Sequence, residues 1–228
     1  MGGKLIVFEG VEGCGKTTQI QQLREWLQSV YSQAAPIPVV ASHEPGGTEL
    51  GLKLRSLLLG DGTGKPIHDS AELLLFAADR AQHVEEVLKP QLALGAIVLC
   101  DRYTDSTVAY QGYGRGLSLP LIDRLNSIAT GGLESDLTIW LDVDVEVSLV
   151  RTRGRGVADR IEQETLAFHR RVQQGYTQLA QTHPKRIVRV DASLSEADVQ
   201  QQIQAILAQR LAQWNEGHRV LPFSESGA

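Results

Sequence analysis

The sequence of 228 residues lacks most features that mark secreted, metal-binding or membrane proteins. Its two cysteines, Cys14 and Cys100, form no CxxC motif and no His/Cys cluster, so a disulfide framework or a zinc site has little support. No apolar run approaches the ~18 residues of a membrane-spanning helix, and Glu9 interrupts the N-terminal apolar stretch too early for a signal peptide. We therefore expect a cytoplasmic protein whose cysteines are reduced thiols and which has no membrane partner.

Positive charge is also in deficit, because 22 Lys and Arg residues stand against 27 Asp and Glu residues, for a net charge of −5. That balance disfavours nucleic acid as a partner, and it requires any basic site to be local. Hydrophobic residues make up 42% and charged residues 21%, which is typical of folded globular proteins. A chain of this length forms one large domain or two small ones.

Five short apolar runs predict strands, and longer helical patterns separate them. The strands are predicted at 4–9, 38–42, 96–100, 137–143 and 186–191. The helices are predicted at 16–30, 49–60, 70–93, 119–129, 144–153, 160–181 and 195–214, and we expect Pro90 to kink or end the third of them. This alternation predicts an α/β fold of three layers, with a central parallel sheet of about five strands flanked by helices.

We expect a single domain over residues 1–214. The segment 59–70 is rich in Gly and Asp and predicts a surface loop, whereas 215–228 has no periodicity and predicts a mobile tail. In such a fold, ligands bind at the carboxyl ends of the strands.

Gly10-Val-Glu-Gly-Cys-Gly-Lys16-Thr17 is a complete G-x-x-x-x-G-K-T motif, or P-loop, between the first strand and the first helix. Its glycines let successive N–H groups turn inward around phosphate oxygens at the positive end of the helix. Lys16 supplies a point charge for the β- and γ-phosphates, and the Thr17 hydroxyl is suited to Mg²⁺. The motif predicts nucleotide binding but does not by itself separate kinases from GTPases or ATPases.

The segments after the P-loop favour a kinase. The sequence has no N-K-x-D and no D-x-x-G after the third strand, which disfavours a switch GTPase. Asp101 and Arg102 follow that strand directly, where Asp101 can organise Mg²⁺ and Arg102 can grip a second phosphate, although a structural ion pair is the alternative.

Two helical spacings suggest a nucleoside pocket. Phe76 and Arg80 are four residues apart, so an aromatic plane and a guanidinium share a helix face; the alternative places Phe76 in the core and Arg80 outward. Polar groups at helical spacing also follow Arg102, although a solvated helix face explains them equally well. These are Ser106, Thr107, Tyr110 and Gln111.

An Arg-rich, Gly-containing stretch near 151–160 stands out in this acidic chain. It contains Arg151, Arg153, Arg155 and Arg160. A flexible basic segment fits a lid that closes over transferring phosphates, and a solvated charge run is the alternative.

The motifs "FEGVEGCGKTT", "EPGGT", "LLLFAADRAQHV", "DRYTDSTVAYQGYGRG" and "DRIE" occur in this order, and the chain resembles bacterial thymidylate kinases from about residue 4 to the early 190s. The resemblance implies ATP-dependent phosphorylation of dTMP to dTDP with Mg²⁺, by a homodimer. It implies ATP phosphates on Gly10, Val11, Glu12, Gly13, Cys14, Gly15, Lys16, Thr17 and Thr18, with Mg²⁺ or acceptor contacts near Glu9, Thr17 and Asp101.

For dTMP, the resemblance implies stacking on Phe76, an edge contact from Arg80 and a phosphate contact from Arg102, assisted by Arg55. Glu162 would lie near the deoxyribose, and the pocket would be lined by Ser106, Thr107, Tyr110 and Gln111. The catalytic residues would be Lys16, Arg102, Arg151, Arg153 and Arg155.

The sequence departs from the family at two positions. His43 stands where many bacterial members have Arg before "EPGGT", which weakens the prediction of a permanent cation there. Glu12 stands where some relatives place a basic residue in the P-loop, a pattern that resembles the subclass in which lid arginines supply the charge. The alternatives that remain are another P-loop nucleoside or nucleotide kinase, separable by its acceptors, and a non-catalytic ATP-binding module.

Overall fold

One parallel sheet forms the centre of the computed structural model, which describes residues 2–31, 37–60, 66–153 and 159–216, apart from the side chains of Tyr31, Arg153 and Glu216. Its strands are β1 (Lys4–Glu9), β2 (Val39–His43), β3 (Ile97–Asp101), β4 (Leu137–Asp142) and β5 (Ile187–Asp191). They pair in the order β2-β3-β1-β4-β5. The predicted fold class is confirmed, and each predicted strand overlaps an observed one.

Helices cover both faces of the sheet. They are α1 (Lys16–Tyr31), α2 (Glu49–Leu58), α3 (Asp69–His83), α4 (Lys89–Ala93), α5 (Thr104–Thr107), α6 (Leu119–Thr130), α7 (Val145–Arg153), α8 (Leu166–Thr182) and α9 (Glu196–Glu216). The described residues also form π-helical segments at Val84–Leu88 and Val108–Gly114. Within the described ranges, no helix has the length and apolarity that crossing a bilayer requires.

Strand β1 shows why both faces are covered. Leu5 and Val7 belong to one buried cluster, and Ile6 and Phe8 belong to another on the opposite side of the sheet. Because alternate residues of a strand point to opposite faces, a continuous apolar run requires helices on each side. This packing fixes the carboxyl end of β1 between β3 and β4, where the P-loop begins.

The helical segment around Pro90 was predicted to be kinked or ended by that proline, and the second of these outcomes is not observed. The chain does not end its helix there, because a π-helical turn over Val84–Leu88 leads directly into α4, which carries Pro90 in its first turn. Proline lacks an N–H and is tolerated in the first turn of a helix. The change in hydrogen bonding before Pro90 therefore lets the helical path continue to Ala93.

Other boundaries differ at the loops. Helix α8 begins at Leu166 rather than at 160, and Thr165 caps it by accepting a hydrogen bond from the Phe168 N–H. The predicted loop at 59–70 is described at 59–60 and 66–70, where α3 already begins at Asp69. Residues 61–65 and 154–158 and the tail from 217 lie outside the described residues.

Candidate active site

The P-loop turns from β1 into α1 through glycines with left-handed backbone angles. Gly10 has φ 142° and Gly13 has φ 76°. A Cβ at Gly10 would lie 2.5 Å from the Leu141 carbonyl oxygen, and one at Gly13 would lie 2.6 Å from the Ser148 carbonyl oxygen. Both positions therefore require glycine for conformation and for space.

Lys16 is 8% exposed and lies over the loop that precedes it. Its Nζ donates to the carbonyl oxygens of Gly10 and Val11 at 3.2 and 3.3 Å, and it lies 3.7 Å from the Cys14 sulfur. No carboxylate of the described residues forms an ion pair with it. Its charge is consequently available to an anion in the loop.

A cavity of about 740 Å³ opens beside Lys16 and extends between the ends of β2 and β3, the helical segment 104–114 and the segment 159–162. It contains most of the predicted site residues, namely Glu12, Gly13, Gly15, Lys16, Thr17, Thr18, Arg55, Phe76, Arg80, Asp101, Arg102, Ser106, Thr107, Tyr110, Gln111 and Glu162. Gly10, Val11 and Cys14 belong to the P-loop without lining the cavity. Val11 and Cys14 are packed in the hydrophobic core instead.

Asp101 lies at the carboxyl end of β3 and lines the cavity together with Thr17. Its Oδ1 atom is buried and has no hydrogen-bond partner among the described residues. A carboxylate oxygen without a donor, beside a hydroxyl in a phosphate-binding loop, fits a hydrated Mg²⁺ that is held mainly by phosphates. The described residues contain no cluster of three or more His, Cys, Asp or Glu that would hold a metal without such help.

Arg102 adopts a left-handed backbone conformation with φ 71°. Its Nη1 donates to the Gly10 carbonyl at 3.0 Å and to Ser106 Oγ at 3.1 Å, and its Nη2 pairs with Glu12 Oε1 at 2.6 Å. Tyr110 accepts a further hydrogen bond at 3.1 Å. The guanidinium is therefore aimed into the cavity by several fixed partners, rather than by a single ion pair as the alternative interpretation supposed.

The Glu12 side chain contacts Arg102 and Tyr110. Both of its carboxylate oxygens accept from the Tyr110 hydroxyl, at 2.8 and 2.7 Å. Burial favours a higher pKa for Glu12, but the charges of Arg102 and Lys16 and the Tyr110 hydrogen bond outweigh it and lower the pKa. Its side chain thus lies with the groups predicted to bind the acceptor.

Glu9 is completely buried and does not line the cavity. Its Oε1 accepts from the N–H groups of Tyr103 and Ser106 at 2.9 and 3.1 Å. Its Oε2 accepts from the Ser106 and Tyr176 hydroxyls at 2.6 and 2.7 Å. Burial, and then the charge of Asp105, raise the pKa of Glu9 to about 7. This position does not match the predicted contact with substrate or Mg²⁺, because both oxygens are occupied by protein donors.

Arg80 lies inside the protein with 2% exposure, which contradicts the outward alternative. Its Nε pairs with Glu44 at 2.8 Å, its Nη1 donates to Thr107 and Asn126 at 2.7 and 2.8 Å, and its Nη2 donates to the Tyr103 carbonyl at 2.9 Å. Phe76, one helical turn earlier, is partly buried and lines the same cavity.

The arginines of the predicted lid are only partly described. Arg151 is exposed, donates to the Ala192 carbonyl at 3.3 Å and does not line the cavity. Arg153 is the last residue of α7, and its side chain lies outside the described part of the chain, as does all of Arg155. Arg160 is described and bonds to Glu72 and to the Leu58 carbonyl.

His43 and Arg55 both lie in the cavity wall. Arg55 donates to the Pro45 carbonyl at 2.8 Å. Partial burial of the ring, and then the charge of Arg55, lower the pKa of His43 below its ordinary value. His43 is also paired in register with Asp101 across β2 and β3.

Several contributing residues were missed from the sequence. Ser42 Oγ lies 2.6 Å from His83 Nε2, and His83 Nδ1 lies 2.9 Å from Glu44 Oε1, so these side chains fix the turn after β2. Tyr176 reaches Glu9 from α8. The "EPGGT" and "RAQH" motifs were visible, but the contact between them joins positions about 40 residues apart, as the separation of 39 between Glu44 and His83 shows.

Comparisons with known proteins agree with this geometry. Residues 8–203 match the sequence model of a family described as thymidylate kinase. The chain is 67% identical over 208 residues to a thymidylate kinase of Nostoc punctiforme. The aligned region covers 91% of this chain and 96% of the relative. It is 65% identical over 215 residues to a thymidylate kinase of Nostoc sp., at 94% and 100% coverage. It is also similar to the crystal structure of thymidylate kinase from Ehrlichia chaffeensis, with a TM-score of 0.74, 34% identity and coverage of 91% of this chain and 100% of that chain.

Proposed function

The chain belongs to the thymidylate kinase family, and we propose that it phosphorylates dTMP to dTDP with ATP as the donor and Mg²⁺ as the cofactor. The observation that carries this proposal is that one cavity joins a P-loop lysine, which has no carboxylate partner among the described residues, to a recess that contains Phe76, Arg80 and Arg102. A donor triphosphate and an acceptor nucleotide can therefore meet in one cavity.

The donor half of the cavity consists of the P-loop, the start of α1 and Asp101. Its backbone N–H groups and the positive end of α1 hold the ATP phosphates over Gly10–Thr18. Lys16 follows the γ-phosphoryl group as a mobile charge. Thr17 and Asp101 would hold Mg²⁺, which neutralises charge on the phosphate oxygens when it is bound.

The acceptor half consists of Phe76, Arg80, Glu12, Arg102, the helical segment 104–114 and the segment 159–162. Phe76 stacks on the thymine ring, and Arg80 donates to its edge. Arg102 holds the dTMP phosphate, assisted by Arg55. The sugar and base are further contacted by Ser106, Thr107, Tyr110, Gln111 and Glu162.

In the transfer itself, an oxygen of the dTMP phosphate attacks the γ-phosphorus of ATP, and the bond from that phosphorus to the bridging oxygen breaks to release ADP. The attacking oxygen is already anionic, so the protein needs no strong base. The main difficulty is the approach of two polyanions, which Lys16 and Arg102 reduce by holding the phosphates in line. We propose that the lid arginines, Arg151, Arg153 and Arg155, stabilise the remaining negative charge of the transition state.

A homodimer is the assembly that the surface supports. Helix α2 packs on α3, and α3 packs on α6. Together they expose Leu50, Leu57, Leu74, Leu121 and Ile128, at 45%, 62%, 56%, 49% and 77%. Exposed apolar side chains on three helices that pack side by side are what a protein interface would bury. Ile128→Lys should shift the mass measured by light scattering from dimer to monomer; a wild-type monomer would contradict this assignment.

An ADP-release assay with a panel of acceptors tests the function. We expect turnover with ATP and dTMP, dependence on Mg²⁺, and little turnover with thymidine. Faster turnover with thymidine than with dTMP would favour a nucleoside kinase, and no ADP release with any nucleoside monophosphate would favour a non-catalytic ATP-binding module.

A further inference from the structure

Glu72 lies on α3 with no solvent exposure, behind the recess of the acceptor half. Its Oε1 accepts from Gln111 Nε2 at 2.9 Å and from Arg115 Nε at 3.2 Å. Its Oε2 accepts from Arg115 Nη2 at 3.1 Å and from Arg160 Nη2. One buried carboxylate therefore connects Gln111 of the cavity wall with Arg160, at the end of the predicted lid.

The contact between Glu72 and Gln111 determines which way the Gln111 amide faces. An ionised carboxylate only accepts hydrogen bonds, so the amide must present its NH₂ group to Glu72. Gln111 lines the cavity, and its Oε1 has no donor among the described residues, yet it is not among their buried unpartnered atoms. The amide oxygen is consequently left as an accessible acceptor at the cavity wall.

The surroundings keep Glu72 ionised. Burial alone would raise the pKa of Glu72, but hydrogen bonds from Arg115, Gln111 and Arg160 outweigh it, and the pKa lies below its ordinary value. Arg115 is itself fixed by Glu164 and lies over the Phe168 ring, with 4.7 Å between the guanidinium carbon and the ring centroid. The orientation of Gln111 is therefore the same across the physiological pH range.

Arg80 provides the complementary group. Four of its N–H groups are bonded to Glu44, Thr107, Asn126 and the Tyr103 carbonyl. A guanidinium has five N–H groups, so one has no partner among the described residues and is left for a ligand. The recess thus presents one acceptor, Gln111 Oε1, and one donor from Arg80, both fixed by buried carboxylates.

We propose that Glu72 is a positioning residue for base specificity: by orienting the Gln111 amide, it selects an acceptor base with a ring N–H beside a carbonyl and rejects one with the opposite pattern. Thymine and uracil carry a donor at N3 and an acceptor at C4, whereas cytosine carries an acceptor at N3 and a donor at C4. This inference rests on the proposed function, because it concerns the same acceptor site.

The test compares kcat/KM for dTMP, dUMP and dCMP in the wild type and in Glu72→Gln. A neutral amide at position 72 can donate as well as accept, so the Gln111 amide is free to turn. We expect the ratio of kcat/KM for dTMP to that for dCMP to fall by about tenfold or more. The ratio for dTMP to dUMP should stay within about twofold, because both bases share the N3 donor.

Glu164→Gln is the matched control. Glu164 bonds Arg115 in the same network without contacting Glu72 or Gln111, and its variant should keep the wild-type dTMP to dCMP ratio. Loss of structure alone lowers activity with every acceptor and leaves the ratios unchanged. An unchanged ratio in a folded Glu72→Gln variant would overturn the inference.

Glu72→Asp is the second test variant, to be used if Glu72→Gln does not fold. It keeps the negative charge for Arg115 and Arg160 but withdraws the carboxylate from Gln111, so the same fall in ratio is expected, and no fall would overturn the inference. Absence of dTMP turnover in the wild type would instead contradict the proposed function, which separates the two failures.

Discussion

The donor and acceptor halves of the cavity hold their charged groups differently. Lys16 contacts two backbone carbonyl oxygens and a sulfur atom, and one oxygen of Asp101 has no partner among the described residues. Arg80 and Glu72, on the acceptor side, each make four hydrogen bonds to protein groups. The donor half therefore leaves charge available for phosphates and a metal ion, whereas the acceptor half fixes its side chains before the nucleotide arrives.

This difference follows from what each ligand requires. Phosphates and Mg²⁺ are recognised by charge and by backbone N–H groups, so mobile or unpaired side chains suffice. A base is recognised by the direction of a few hydrogen bonds, and a free side chain would lose rotational freedom on binding. Consequently, variants of the donor half should lose turnover without losing stability, and variants of the acceptor half should lose both.

The largest effect is expected for Lys16→Ala. Removing the charge that follows the γ-phosphoryl group should lower kcat by roughly 10³-fold, with little change in the thermal midpoint of unfolding, because no ion pair is broken among the described residues. Lys53→Ala is the control, since Lys53 is exposed and pairs with Glu49 of the same helix, α2. A Lys16→Ala variant within about threefold of wild-type kcat, a barrier change below ~0.7 kcal/mol, would contradict this role.

A smaller loss is expected from the lid. Arg153→Ala should lower kcat by roughly 10²-fold or more while dTMP affinity stays nearly unchanged, because a cation that closes over the transferring group acts in the transition state. Arg151→Ala and Arg155→Ala complete the series. Arg170→Ala is the control, because this exposed arginine pairs with Glu146 at the surface. Near-normal kcat in all three lid variants would assign the segment to a solvated basic face.

Arg80→Ala and Phe76→Ala test whether orientation in the acceptor half is tied to stability. Each should weaken dTMP binding about tenfold while ATP binding changes little, as measured by calorimetric titration. Arg80→Ala should also lower the free energy of unfolding by about 3 kcal/mol, because it removes the buried ion pair with Glu44. Normal dTMP affinity combined with a large loss of stability would make these residues structural.

The sequence predicted the positions of the strands and of the P-loop because both depend on residues that are neighbours in the sequence. The strand at 4–9 was predicted at its observed bounds, and the glycine spacing defines the turn into α1. The inward position of Arg80 was left open, since its partners Glu44, Thr107 and Asn126 lie 36, 27 and 46 positions away. Helical spacing places a side chain on a face, but tertiary packing decides whether that face is inside.

The predicted contact of Glu9 with substrate or Mg²⁺ shows the same limit from the other direction. Its place directly before the P-loop suggested a ligand, but Ser106 and Tyr176 lie 97 and 167 positions away and occupy the carboxylate. Likewise, Glu12 belongs to the P-loop by sequence and to the acceptor half by its contact with Tyr110, 98 positions away. The motif predicted where the backbone of the P-loop lies. Contacts with residues far away in the sequence determine where the side chains of Glu9 and Glu12 lie.

The smallest effect is expected at His43, which lies in the cavity wall. If its ring faces the dTMP phosphate, protonation should strengthen dTMP binding. Partial burial and Arg55 lower the pKa of His43, so the gain should occur below the ordinary imidazole range and disappear as pH rises. For stability the sign is opposite: a histidine with a lowered pKa in the folded state stabilises the fold above its unfolded pKa, near 6.5, and this contribution falls as pH decreases.

Calorimetric titration of dTMP between pH 5 and 8 measures this effect, after subtraction of the second ionisation of dTMP itself. His43→Arg should flatten the remaining pH dependence, because an arginine stays charged throughout. His68→Arg is the matched control, since His68 lies at the start of α3 and does not line the cavity. An identical pH profile in His43→Arg and the wild type would remove His43 from the acceptor site.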